Sequence, residues 1–263
     1  MSGDDNRSVY ESGEVVAQYA AETALLPAEE AVLRRLAPSL STARMLDIGV
    51  GAGRTTRHFA NLVREYVGID YAAGMIAYCQ GLLAGLPNTV RFMQCDVRDL
   101  SCFSSTSFDF VLFSFNGLDM VGHADRLQAL KEIRRVCAPN GAFCFSSHNT
   151  RHLAQLPGAR LALTRGPRAL ARQLRSWLRI RLANPGYARL CRNCDAMEHA
   201  LVVDGAHGFR ARSYYVQPDY QLVKLSACGF GSTRAYSTAG EELEGLALSE
   251  SRDPWLYYLC TPQ

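Results

Sequence analysis

Three glycines alternate with small residues at Gly49, Gly51 and Gly53, in LDIGVGAGR, directly after a short apolar run that contains Asp47. Glycine has no Cβ, so a backbone built this way can turn tightly and come into contact with a ligand. Asp70 ends the run YVGID, 21 residues after Gly49. That is about the spacing at which a carboxylate accepts both hydroxyls of a ribose. Asp96, in QCDVRDL, follows a third apolar run, where a side-chain acceptor could take the amino group of an adenine. Each acid alone reads equally well as a helix cap or a turn residue. Three at corresponding places point to a nucleoside-bearing ligand.

Which nucleoside is decided by what the loop lacks. The dinucleotide fingerprint is GxGxxG, whereas this loop is GxGxG and places Arg54 where the third glycine would fall. No GK[ST] follows, so a phosphate loop is excluded. Asp47 beside the loop would repel a pyrophosphate and attract an ammonium. S-adenosylmethionine carries an ammonium, a carboxylate and a sulfonium, and no phosphate.

The elements that must position these residues alternate in type over the first 150 positions. Arg44–Ile48, Tyr66–Ile69, Thr89–Gln94, Phe108–Phe113 and Ala142–Ser146 read as strands, each short, apolar and largely lacking the alternation of a half-exposed sheet. Between them Arg54–Val63, Ala72–Ala84 and Ala124–Ala138 read as helices, the last stopped by Pro139, Asn140 and Gly141. Repeated strand–helix–strand units make a doubly wound, mostly parallel α/β sheet, which binds ligands beyond the carboxyl ends of its strands. A leading helical region, Val15–Leu36, has Pro27 placed to open its second helix. Later, 200–216 reads as a hairpin about GAHG, Pro218–Ala227 as a helix, and GSTRAYS and WLYYLC as two strands. The division expected is a cap over 1–40, a cofactor-binding core over 41–150, a basic inserted lid over 151–213 and the rest of the core over 214–263.

With 263 residues, 48% of them hydrophobic, the chain can bury a full core. No run approaches the roughly 18 apolar residues of a membrane span, and the polar, acidic start is unlike a secretory leader, so a cytoplasmic location is expected. Seven of the nine cysteines are scattered singly, as reduced core thiols are. The net charge of +3 is uneven: Arg151 to Arg192 holds ten arginines and no acid, leaving the remainder at 3 − 10 = −7.

The chain resembles the class I S-adenosylmethionine-dependent methyltransferases. The resemblance rests on LDIGVGAGR, YVGIDYAAGMI, QCDVRDL, FDFVLFSFNGLDMV, LKEIRRVCAPNGAFCFS and the late YYVQPDYQLVKLSACGF. It implies a seven-stranded sheet with an antiparallel last strand, WLYYLC, S-adenosylmethionine as methyl donor and S-adenosylhomocysteine as product. Carried over by position, Gly49 and Gly51, with Gly53 and Arg54 completing the loop, would approach the methionine moiety. Asp70 would take the ribose, Met75 one adenine face, and Asp96 with the Val97 amide the adenine edge. Phe113 or Ser114 would offer a carbonyl to the methionine ammonium, where Asp47 adds charge, and Tyr19 would close over that end.

Methyl transfer needs an acceptor held in line with the methyl group and water kept out. For a hydroxyl acceptor a base helps, and His148, closing the fifth strand in FSSHN, and His123, in DMVGHAD, are the candidates. The loop SFNGLD lacks the Asn/Asp-Pro-Pro-aromatic signature of enzymes that methylate exocyclic base amines, so DNA is not an expected partner. In the insert, Leu170, Leu174, Trp177 and Leu178 share one side of a helix, and Arg168, Arg172, Arg175 and Arg179 the other, apart from Arg181, which projects near the apolar stripe. The expected arrangement packs the Leu/Trp side on the core and leaves the arginines in solvent; membrane contact is not favoured. No aromatic interleaving or known module argues for RNA. Cys191 and Cys194 form a CxxC, but the spacing to His199 and His207 fits no zinc finger, so no metal is expected. The reading is a methyltransferase acting on oxygen or nitrogen of a small molecule, of natural-product or sugar type, with a homodimer left open. A lipid-linked, glycan or RNA acceptor docked by the insert is the first alternative. A protein that binds the cofactor without turnover is the second.

Overall fold

Five short apolar runs form the parallel centre of one sheet, as strands covered on both faces must. The computed structural model describes residues 10–159 and 166–263, apart from the side chains of residues 83 and 207. Helices α1 (Gly13–Ala21) and α2 (Pro27–Leu40) lead into β1 (Arg44–Ile48), α3 (Thr56–Phe59), β2 (Glu65–Asp70), α4 (Ala73–Gln80) and β3 (Val90–Gln94). Then come β4 (Phe108–Phe113), α5 (His123–Val136) and β5 (Cys137–Asn149). The insert supplies α6 (Pro167–Ala183), α7 (Tyr187–Asn193), β6 (His199–Val202) and β7 (Ser213–Val216). The chain closes with α8 (Pro218–Ala227), β8 (Phe230–Tyr236), β9 (Glu242–Leu243), α9 (Gly245–Ser249) and β10 (Trp255–Pro262).

The main sheet runs β3-β2-β1-β4-β5-β10-β8-β9. Strands β1 to β5 are parallel, and β10 lies antiparallel between β5 and β8. Because β1 has β2 on one side and β4 on the other, the order reverses there, and a crevice opens beyond their carboxyl ends. The expected seven strands become ten. Beyond those seven stand the two-residue edge strand β9 and the β6–β7 hairpin, the latter expected from the sequence over 200–216. Strand β5 runs on to Asn149, past its last pairing with β4 at Phe113↔Phe145, and β7 pairs with the overhang at His148↔Tyr215 and Asn149↔Val216. The insert is therefore joined to the sheet through β7, whose first residue is Ser213, and does not simply hang over it.

Alternate residues of the strands bury opposite faces. Leu46, Ile48, Val111 and Phe143 pack with Leu130 and Ile133 of α5, while Met45, Phe110 and Leu112 pack with Ala28, Val32 and Leu40 of α2. The insert has a smaller cluster of its own, including Leu153, Ile180, Tyr187, Val202 and Tyr215. One expectation fails here. Ile180 is the buried residue of α6, whereas Leu170, Leu174, Leu178 and Leu182 are 47%, 48%, 48% and 72% exposed. The helix is turned so that Ile180 meets Gly158 and Tyr187, an approach that a Cβ at Gly158 would block.

Candidate functional site

The loop after β1 has the backbone its glycines allow: Gly49, Gly51 and Gly53 have φ of +62°, +56° and +78°. A Cβ on Gly49 would lie 2.8 Å from Cε2 of Phe113, and one on Gly51 3.4 Å from Cδ1 of Tyr19. Gly49→Ala is accordingly expected to lower unfolding free energy by about 2–5 kcal/mol, the sum of left-handed strain and overpacking, read as a drop in Tm. Gly53 has a different neighbourhood. A Cβ there would lie 2.9 Å from Leu82 Cδ1 and 3.5 Å from Cys79 Sγ, so its smallness serves the packing of the loop on α4 and its trailing turn, not ligand contact.

Two adjoining cavities of about 840 and 940 Å³, counting space open to solvent, lie over this loop. The first is lined by Asp70, Met75, Asp96, Val97 and Phe113; the second by Asp47, Arg54, Gln18 and Glu22, with Ala206 from the insert. Tyr19, Gly49, Gly51, Ser114 and Phe115 line both, and Tyr19 stands edge-on to Phe115 with ring centroids 6.3 Å apart. Of the cofactor residues expected from sequence, all but Gly53 thus face one of two connected spaces.

The acids differ in how much of their charge is spent. Asp70 accepts from the backbone N–H of Gly51 at 3.0 Å and of Ala72 at 2.9 Å, which fixes the loop against the end of β2. Burial raises its carboxyl pKa, and these N–H groups oppose the rise. Asp96 is paired with Arg98 at 2.7 Å, and Arg98 also reaches Asp125 at 3.1 Å. Asp47 accepts from Thr55 Oγ1 and Tyr66 OH, each at 2.5 Å and each on Oδ2; Oδ1 takes no hydrogen bond among the described residues while Asp47 lines the second cavity. Burial lifts its carboxyl to about 6 despite those two donors.

This shift carries a prediction. A cofactor ammonium placed at Oδ1 would favour the carboxylate, and in that case binding of S-adenosylhomocysteine should strengthen as pH rises towards about 6 and level off above it, by up to about tenfold per unit below. Calorimetry across that window should show the slope in the native chain and a flat line in Asp47→Asn. The same raised value makes the free protein lose stability as pH rises from the unfolded carboxyl value of about 3.9 through about 6.

Arg54 differs from its expected role. Its guanidinium grips Glu29 of α2 bidentately, Nη1 to Oε2 at 2.5 Å and Nη2 to Oε1 at 2.6 Å, and lies 5.4 Å over the Phe115 ring. Glu29 is 1% exposed and also accepts from Ser114 Oγ, from Tyr257 OH at 3.2 Å and from the Leu26 N–H at 2.7 Å. Burial would raise the Glu29 carboxyl, but Arg54 outweighs it and holds the group below its ordinary range. Arg54 is thus the counter-charge that fastens α2 to the glycine loop. Sequence gave no signal for Glu29, which stands 25 residues upstream on an unremarkable helical turn.

Neither candidate histidine lines the two cavities, and their surroundings differ. His123 Nδ1 meets Tyr214 OH at 2.7 Å, and its ring stacks on His199 with centroids 4.2 Å apart, a packing role beside α8. His148, at the overhanging end of β5, has Nδ1 2.8 Å from Asp119 Oδ2, and its backbone N–H donates to the same oxygen at 2.6 Å. Asp119 is fully buried and takes Arg126 Nη1 at 2.5 Å and Ser147 Oγ at 2.7 Å on Oδ1. Donation to Asp119 places the ring proton on Nδ1 and leaves Nε2 as an acceptor, 3.2 Å from Asn116 Nδ2. Phe115 and Asn116 both adopt left-handed backbone, φ +54° and +59°, a strained turn that puts Phe115 over the cavities and Asn116 against His148. Asp119 was not recognisable beforehand, because its partners come from separate elements.

The cavity chemistry fits S-adenosylmethionine: carboxylates for a ribose and an ammonium, apolar Ile48, Met75 and Val97 for a base, and a glycine cradle, with its arginines already paired to acids. Residues 45–141 match the protein family described as a methyltransferase domain. The chain is 32% identical over 162 residues to a malonyl-[acyl-carrier protein] O-methyltransferase of Halorhodospira halophila, covering 59% of this chain and 52% of that protein. It is 31% identical over 120 residues to a demethylmenaquinone methyltransferase of Clavibacter sepedonicus, covering 46% of each. The chain therefore spans about half the length of the curated relatives it matches. Its fold is shared with the Burkholderia thailandensis 1,6-didemethyltoxoflavin-N1-methyltransferase, solved with 1,6-didemethyltoxoflavin and S-adenosylhomocysteine bound: TM-score 0.60 and 17% identity over 99% of this chain and 87% of that one. Residues 45–141 thus carry a methyltransferase domain, and strand order and cavity chemistry agree with it in supporting a class I S-adenosylmethionine-dependent methyltransferase.

Proposed function

We propose that the chain transfers a methyl group to an oxygen or nitrogen of a small molecule held beside Tyr19 and Phe115, with His148 receiving the proton that the acceptor gives up. The observation that carries this reading is the Asp119–His148 pair at the end of β5. Bound S-adenosylmethionine supplies an activated methyl group on a sulfonium, so the chain need only hold the acceptor in line, keep water out and take a proton. Asp119 orients the imidazole and, with Arg126 balancing its own charge, favours the imidazolium that proton uptake creates. Asn116 Nδ2 covers Nε2 at 3.2 Å, a long contact that an acceptor hydroxyl or amine would displace. Asn116 Oδ1 is buried without a partner among the described residues, which leaves it able to accept from the same ligand.

The cofactor roles of Gly49, Gly51, Asp47, Asp70, Met75, Asp96, Val97, Phe113, Ser114 and Tyr19 belong to this proposal and are supported by their common place around the two cavities. Comparison lends support to a small acceptor through the toxoflavin-type neighbour, while the malonyl-carrier and quinone relatives keep a carrier-bound or lipid acceptor in view. Incubating the chain with methyl-labelled S-adenosylmethionine and an extract of its source, then separating small soluble, lipid, glycan and RNA pools, tests the reading. Label should enter the small soluble pool; label confined to another pool would overturn it. Tight cofactor binding with no label in any pool would assign the chain a binding role without turnover.

A further inference from the structure

The leucines of α6 form an exposed stripe whose setting is specific. Leu170, Leu174, Leu178 and Leu182 recur every fourth residue, so the stripe winds slowly along a helix about 25 Å long. On a 3.6-residue helix the exposed Arg168, Arg172, Arg175 and Arg179 lie along one edge of the stripe, and the packed sector with Ile180 lies along the other. None of those four arginines is ion-paired among the described residues. No acid occurs between Arg151 and Arg192. No helix of the described residues is long and apolar enough to cross a membrane, and α6, with five arginines in its 17 residues, is suited to lie flat.

We propose that this face of α6 docks the protein on an anionic lipid surface, the leucines entering the boundary between headgroups and acyl chains and the arginines meeting lipid phosphates. The arginines border the apolar stripe, so cations flank the apolar face as they do on an interfacial helix. Guanidinium forks bind phosphate oxygens bidentately, and each arginine near an anionic surface contributes about a fivefold gain at low ionic strength. Docking concerns the insert alone and holds whichever acceptor the cleft takes.

The test is co-sedimentation of the whole chain with vesicles of phosphatidylcholine, with and without a phosphatidylglycerol fraction. The chain should bind the anionic vesicles, release them as salt rises, and leave the pure phosphatidylcholine vesicles largely unbound. Leu174→Glu with Leu178→Glu should reduce partitioning at least about tenfold, and Arg172→Glu with Arg175→Glu should do so as well. Both double variants should bind S-adenosylhomocysteine as the native chain does, which separates loss of the surface from loss of the fold or of the cofactor site. No binding to anionic vesicles at low salt, or binding unchanged by the leucine pair, would overturn the proposal. So would a stable dimer in solution that ignores vesicles and is broken by the leucine pair, because the stripe would then belong to a second copy of the chain.

Discussion

Asp70→Ala is expected to weaken binding of S-adenosylhomocysteine by about 10²–10⁴-fold. A carboxylate that accepts two ribose hydroxyls makes two hydrogen bonds to a charged group, each worth about 1.5–3 kcal/mol. Asp70 sits where that loss cannot be made up by solvent: it is 7% exposed, lines the first cavity, and its remaining hydrogen bonds hold the Gly51 and Ala72 N–H groups. Removing it also frees Gly51, so a loosened loop could imitate a lost ligand contact. A cofactor analogue lacking the ribose 2′-hydroxyl distinguishes the two. The native chain should bind that analogue less tightly than S-adenosylhomocysteine, and Asp70→Ala should bind both alike. A variant that still discriminates between them would refute the ribose assignment. Asp96→Ala should cost less, since Asp96 is already bound to Arg98 and its side chain is 37% exposed.

How far such residues can be read from sequence depends on whether their partners are local. The strands β1 and β4 keep the bounds their apolar runs suggest, because both lie in the centre of the sheet and are buried along most of their length. The glycines at 49 and 51 are legible because their left-handed φ demands the residue that the alternation shows. Gly53 shares the left-handed φ but packs against Leu82 and Cys79 and lines neither cavity, and no spacing rule separates it from the other two. Strand β5 outruns its expected end because Ser147, His148 and Asn149 are polar; they pair with β10 or β7, strands that arrive from distant sequence. In α6 the periodicity identifies a helix but not its rotation. Ile180 is the buried contact because Gly158 and Tyr187, outside the helix, accommodate it. Arg54 was visible as a cation in the loop, yet its partner Glu29 lies on α2, so its charge looked available when it was not.

His148→Gln should reduce kcat by about 10²–10⁴ with the acceptor of the reaction, the range for loss of a positioned base, while the affinity for S-adenosylhomocysteine stays as it was. The separation is expected because His148 lines neither cavity around the cofactor residues and touches them only through Asn116. Asp119→Asn probes orientation rather than proton uptake. Its amide can present N–H to His148 Nδ1, which reverses the favoured tautomer and turns the basic nitrogen away from the acceptor, so kcat should fall although the ring remains. That substitution also leaves Arg126, 2% exposed, without its counter-charge, and loss of one partner of a buried pair costs about 3–5 kcal/mol. Asp119→Asn must therefore be compared at a temperature where both proteins are folded, and His148→Gln, on a partly exposed side chain, carries the kinetic test. If His148→Gln turns over at the native rate, proton uptake lies elsewhere. Rate acceleration would then come from alignment alone, and the Asp119 network would be a structural tie between β5, α5 and α8 through Arg126, Ser147 and Gln221.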